Sequence, residues 1–210
     1  MFRLRFKRLA FVLLFATPLA AEENPIAKDA KQVKPLEVGE QVPDIELKTT
    51  EGEKVSLASF HEDGPLVVVF YRGSWCPFCT RPTQESIKQY PKIRELRAEL
   101  VAISPDSPAK VKESVQETKV PFPVLSDNDV SAARAFGLAF QVDDATLKRY
   151  AGFGIDLEKA SGHDHHALPV PAVFIADKEG KIRFRHYDAN YRERLPATRI
   201  VEELQRLREE

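Results

Sequence analysis

The order of apolar and polar positions divides the chain into short units. Ile45 and Leu47, then Val55 and Leu57, alternate with polar residues on either side of Glu51-Gly52, which predicts two short paired strands. PLVVVFY, Pro65 to Tyr71, is an unbroken β-branched and aromatic run bounded by Gly64 and Gly73, the pattern of a strand covered on both faces. Past Cys79 the period becomes helical, with Ile87, Tyr90, Ile93 and Leu96 three or four apart and Pro82 and Pro91 placed to kink or segment the helix. LVAIS, Leu100 to Ser104, is a second buried strand, after which Ser107 as N-cap and Pro108 in the first turn open another helix. FPVLSD reads as a short strand and DVSAARAFG as a short helix stopped by Gly137. Residues 138 to 168 are irregular with some helical character. Ala172 to Ala176 and Lys181 to Tyr187 form a hairpin around Lys178-Glu179-Gly180. Ile200, Leu204 and Leu207 mark one face of a closing helix that has Pro196 near its start. Alternating strands and helices, then a hairpin and a last helix, predict one α/β domain with a mixed sheet and no internal repeat.

The first 37 residues lie outside that pattern. Arg3, Arg5, Lys7 and Arg8 precede a short apolar run, Leu9 to Ala16, with Ala20 and Ala21 following. This is the layout of a signal peptide over residues 1–21, and the run is too short for the roughly 20 residues that span a bilayer. A retained N-terminal anchor is the alternative. Residues 22–37 are polar with two prolines and no apolar period, and read as a flexible leader to a domain over 38–210. The whole chain carries 31 basic and 32 acidic side chains, and removing residues 1–21 takes four basic ones with it. An acidic mature protein is a poor partner for nucleic acid, and no stable membrane association is expected once the signal is removed. The expected location is periplasmic or secreted.

FYRGSWCPFCT, Phe70 to Thr80, holds both cysteines of the chain, Cys76 and Cys79. A disulfide across two intervening residues removes little unfolded-chain entropy, so a purely structural staple is a poor use of the spacing. A zinc site needs two further ligands. His163, His165 and His166 in GHDHH are the side chains available for a metal or proton-transfer role, although a solvated polar loop is the simpler account. A redox pair fits best. The strand and turn before Cys76 place both sulfurs at a helix N-terminus, where unsatisfied N–H groups and the helix dipole favour a thiolate.

FYRGSWCPFC together with LPVPAVFIADKEGKI resembles the thioredoxin superfamily, and VGEQVPDIELKTTEGEKVSLASF resembles the opening hairpin of its peroxiredoxin branch, the alkyl hydroperoxide reductase and thiol-specific antioxidant group. The likeness covers roughly Val38 to Leu207. It implies a thioredoxin-like fold, with Pro171 as the cis-proline opposite the thiols. It also implies a peroxide substrate, a thioredoxin-like or other dithiol reductant, and no cofactor. Ordinary peroxiredoxins carry Pro-x-x-x-Thr-x-x-Cys. On that frame Cys79 takes the peroxidatic position, Cys76 stands where the Thr should be, and Arg72 replaces the proline. The later Arg of the family falls near Pro171.

Two mechanisms follow from the resemblance. Peroxide reduction starts on one thiolate and ends in a Cys76–Cys79 disulfide. Disulfide exchange starts on Cys76, expected to be the more exposed thiol, with Cys79 resolving. A non-catalytic binding module with the same fold is the third reading. Arg72 or Arg81 would stabilise charge at the sulfurs, and Trp75 would serve as a lid or as packing. Glu85 as a proton acceptor, and Tyr187, Tyr191, Arg192 and Arg194 at the active edge, compete with solvated-surface accounts.

Overall fold

The computed structural model describes residues 24–209; the signal-peptide expectation falls on residues outside that range. The elements are β1 (Glu46–Lys48), β2 (Lys54–Ser56), β3 (Leu66–Phe70), α1 (Pro77–Glu95), β4 (Glu99–Ser104), α2 (Pro108–Thr118), β5 (Val124–Ser126), α3 (Ser131–Ala135), β6 (Ala139–Gln141), α4 (Asp144–Gly152), α5 (Leu157–Ser161), β7 (Ala167–Pro169), β8 (Ala172–Ala176), β9 (Ile182–Tyr187) and α6 (Ala197–Glu209). Seven strands form one mixed sheet in the order β2-β1-β5-β4-β3-β8-β9, and β6 pairs with β7 beside it. β3 runs parallel to β4 and antiparallel to β8, so the strand that delivers the cysteines lies inside the sheet with a neighbour on each side.

The period of two along the central strands explains their continuous apolar runs, because successive side chains feed opposite layers. Leu66, Val68 and Phe70 of β3, Val101 and Ile103 of β4, and Phe174 of β8 enter one core with Phe136 and Leu138. Val67, Leu100, Ala102, Val173 and Ile175 enter the other, against Ile93 of α1, Val111 of α2, and Ile200, Val201 and Leu204 of α6. The predicted caps form: the Ser107 hydroxyl accepts from the Lys110 N–H, with Pro108 opening α2. α1 runs as one element through Pro82 and Pro91, so of the kink or break that the prolines predict the break does not occur. It packs along α6, and that tertiary support outweighs the lost backbone hydrogen bonds.

Residues 24–37 are not a free leader. Ala27 bridges Phe140, the Lys34 N–H bonds the Gly137 carbonyl at 3.1 Å, and the Leu36 N–H bonds the Phe136 carbonyl at 3.2 Å. Ile26, Val33 and Leu36 cover the first core. An irregular backbone buries apolar residues without a period, which is why composition alone reads the stretch as a leader. Gly137, at φ +68°, ends α3 where any Cβ would run into the Lys34 carbonyl. Gly137→Ala is therefore expected to cost about 2 kcal/mol in urea unfolding and to release this strap to proteolysis. An unchanged midpoint would show that the contact carries no stability.

Candidate active site

β3 ends at Phe70 and the chain turns through Tyr71 to Trp75 into α1, with Cys76 as N-cap, Pro77 as first helical residue and Cys79 one turn in. Gly73, at φ +127°, makes this turn, and a Cβ there would meet both the Trp75 indole and the Asp106 carboxylate. Asp106 is buried at the end of the β4 to α2 connection and accepts from the Ser74 N–H at 2.6 Å, which ties the turn to the sheet. Burial pushes the Asp106 carboxyl above its usual range.

Both cysteines are free and buried, Cys76 at 2% and Cys79 at 6% relative exposure, so exposure of the residue does not set them apart. Electrostatics separates them instead. The Cys79 S–H donates to Cys76 and, against the opposing effect of burial, lowers the Cys76 thiol to about 6; Arg72, the Phe78 N–H and Arg194 act in the same direction. That donation, burial and the charge on Cys76 push Cys79 well above the ordinary thiol range. At neutral pH the pair is one thiolate and one thiol sharing a proton on Cys79.

Arg72 is 4% exposed and follows Phe70 on the same side of the extended chain. Its guanidinium donates to the Tyr150 hydroxyl and lies 4.1 Å from the centre of the Tyr191 ring, 5.4 Å from Trp75 and 5.5 Å from Tyr150. Aromatic faces stabilise a desolvated cation and hold it beside the sulfurs. Trp75 thus packs on Tyr150, at 5.6 Å between ring centres, as part of this cage. Arg81 is a different case: its side chain is 90% exposed and pairs with Glu85 at 3.0 Å, so neither residue serves the thiols. From the chain's end, Arg194 places a nitrogen 4.0 Å from the Cys79 sulfur.

The sulfurs open into a groove with a cavity of about 120 Å³, lined by Tyr71, Thr80, Phe122, His186 and Arg194 among others. Pro171 lines it too, but no cis peptide occurs among the described residues, so the expected cis-proline is trans. The chain passes from β7 to β8 in extended form, with the Val170 N–H on the Leu138 carbonyl, and needs no reversal there. The histidine loop lies elsewhere. His165 Nδ1 accepts from the Ala167 N–H, leaving Nε2–H to donate to the Asn128 carbonyl, and His166 pairs with Glu158 at 2.7 Å. His163 stacks on His165. Among the described residues no group of three His, Cys, Asp or Glu side chains is placed to hold a metal.

Of the residues the sequence leaves open between the active edge and a solvated surface, the structure brings Tyr191 and Arg194 to the site, and Tyr150, which no sequence signal marks, arrives from α4. The signal for Arg72 was present in the alternation of β3: two residues beyond Phe70, it continues toward the same layer.

A Cys-x-x-Cys pair at the N-terminus of the first long helix of a thioredoxin-like sheet is the architecture of a redoxin. The chain belongs to the AhpC/TSA family, which it matches over residues 38–185. It is 28% identical over 147 residues to peroxiredoxin Bcp of Bacillus subtilis, an alignment covering 70% of this chain and 82% of that protein. It is 24% identical over 148 residues to the thiol-disulfide oxidoreductase ResA of Bacillus thuringiensis, covering 70% and 68%. Among solved structures, the Mycobacterium tuberculosis peroxidoxin BcpB superposes with a TM-score of 0.64 at 21% identity, covering 82% of this chain and 98% of that one.

Proposed function

We propose that this protein is an exported thiol peroxidase in which Cys76 attacks and Cys79 resolves. The observation that carries this reading is the Cys76 thiolate, favoured by the Cys79 S–H and Arg72 in the lining of a groove. Cys76 attacks one peroxide oxygen, the O–O bond breaks, and the leaving alkoxide or hydroxide takes a proton. Cys76 becomes a sulfenic acid. Cys79, deprotonated, then attacks the Cys76 sulfur, water leaves, and the disulfide forms. An external dithiol of the thioredoxin type reduces it by exchange through a mixed disulfide.

Export is supported by the basic, apolar and small-residue order of the first 21 residues. Coupled turnover of hydrogen peroxide with a thioredoxin and its reductase tests the activity, and consumption no faster than by free cysteine would refute it. Intact-mass analysis of exported protein beginning at Glu22 tests the location; an unprocessed cytoplasmic chain would refute that half.

Disulfide exchange is the second reading, favoured by the cysteine at position 76, where the peroxiredoxin motif has threonine. Insulin-disulfide reduction without peroxide turnover would establish it in place of the first.

A further inference from the structure

Arg72 has a second neighbourhood. A cavity of about 140 Å³, whose walls include Arg72, Arg149, Tyr150, Tyr191, Phe140 and Val170, shares with the thiol groove Pro171 alone, which therefore stands between them. Arg72 Nε is buried without a hydrogen-bond partner. No carboxylate pairs with this guanidinium among the described residues; the anion that balances it is the Cys76 thiolate. A buried cation is costly without a counter-ion. A state in which neither sulfur carries a charge, the Cys76–Cys79 disulfide above all, leaves Arg72 matched chiefly by aromatic faces.

The cavity offers what an incoming anion needs. The Arg72 side chain is part of the cavity wall and its positive charge reaches the space, and the exposed Arg149 adds a second cation there. The Tyr150 oxygen already accepts from Arg72, so its own O–H is left to donate. Asp143 also borders the space, but its two oxygens accept from the Thr146 N–H and hydroxyl at 2.8 and 2.9 Å. Phe140, Val142, Val170 and the Tyr191 ring supply apolar walls. Donors set among apolar walls suit a carboxylate carrying a short hydrocarbon tail.

We propose that this cavity is a binding site for a small aliphatic monocarboxylate whose occupancy is coupled to the charge on Cys76: the ligand binds when Cys76 is uncharged and is disfavoured when Cys76 is a thiolate. Two anions then compete for one guanidinium, and by linkage each weakens the other to the same degree. The role of this exchange in turnover rests on the peroxidase reading; the coupling itself rests on charge alone.

The test titrates sodium butyrate at pH 8 into the fully reduced protein and into the Cys76→Ser/Cys79→Ser variant, which carries no thiolate. Binding is read by calorimetry and by the fluorescence of Trp75, the single tryptophan of the chain. The serine variant is expected to bind roughly tenfold more tightly or better, as one charge added beside a shared cation would dictate. Adding Arg149→Gln, a change at an exposed position, is expected to weaken butyrate several-fold, and acetate is expected to bind less well than butyrate. Equal affinity in the two thiol states, or no saturable binding by the serine variant, overturns the proposal. Since this readout needs no peroxide, failure of the peroxidase assay with the coupling intact would count against the peroxidase reading alone.

Discussion

Cys76→Ser lowers the rate of thiol oxidation by hydrogen peroxide at pH 7 at least about tenfold, because Cys76 is largely thiolate there while the remaining Cys79, freed of the hydrogen bond and charge of Cys76, is still pushed up by its burial. Cys79→Ser keeps the first oxidation, since a serine hydroxyl still donates to Cys76, but stops at a sulfenic acid that dimedone traps. Cys79→Ala removes the donor and moves the titration of Cys76 upward. In the wild type the rate rises with pH through an inflection near 6 and is flat above it, because the depressed thiol ionises as the pH climbs past its own value. Stopped-flow measurement across pH reads all four forms. If Cys76→Ser proves the faster of the two serine variants, the attacking sulfur is Cys79, as the peroxiredoxin motif would have it.

Arg72→Met is the second large effect. Removing an opposite charge that favours a partly buried anion raises that anion's titration by about 1 to 2 pH units, so oxidation at pH 6.5 slows about tenfold while the plateau at high pH is largely retained. The ultraviolet absorbance of the thiolate follows the shift directly. Arg72→Lys does not restore the profile: an ammonium lacks the planar surface that meets three rings and the fork that reaches Tyr150 while facing the sulfurs. An unshifted titration in Arg72→Met would remove Arg72 from the site. Arg81→Gln, which breaks only an exposed pair with Glu85, serves as the comparison.

The central sheet was legible because each of its strands declares itself locally. LVVVF and LVAIS are long apolar runs, and Ser107-Pro108 and Gly137 mark helix ends through backbone chemistry that any reader of the chain can apply. The dithiol was legible for the same reason: its spacing, the turn before it and Pro77 after it are adjacent in sequence. What surrounds the dithiol was less so. Tyr150 comes from a helix in a region of weak periodicity, and Arg194 from an irregular connection, so their approach to the sulfurs depends on how β8, β9 and α6 close over α1. Arg72 and Arg81 were equal candidates in sequence, and the layer each faces decides between them: one continues a strand into the core, the other sits on the solvent side of a helix. The strap formed by residues 24–37 hid behind its polar composition, because Ile26, Val33 and Leu36 are spaced for an irregular path and match no helix or strand.

The shared proton also sets an order of events. Of the influences that hold Cys79 protonated, two originate in Cys76 itself, the hydrogen bond Cys79 donates to it and the charge it carries. Both vanish once Cys76 is oxidised, while Arg194 stays beside Cys79. If Cys76 attacks and Cys79 resolves, as proposed, the resolving thiol is kept inert while it has nothing to resolve and becomes more acidic when a sulfenic acid forms on Cys76. A second peroxide must outrun an intramolecular step to drive Cys76 on to the sulfinic state, so the site is built to stay recoverable under peroxide excess.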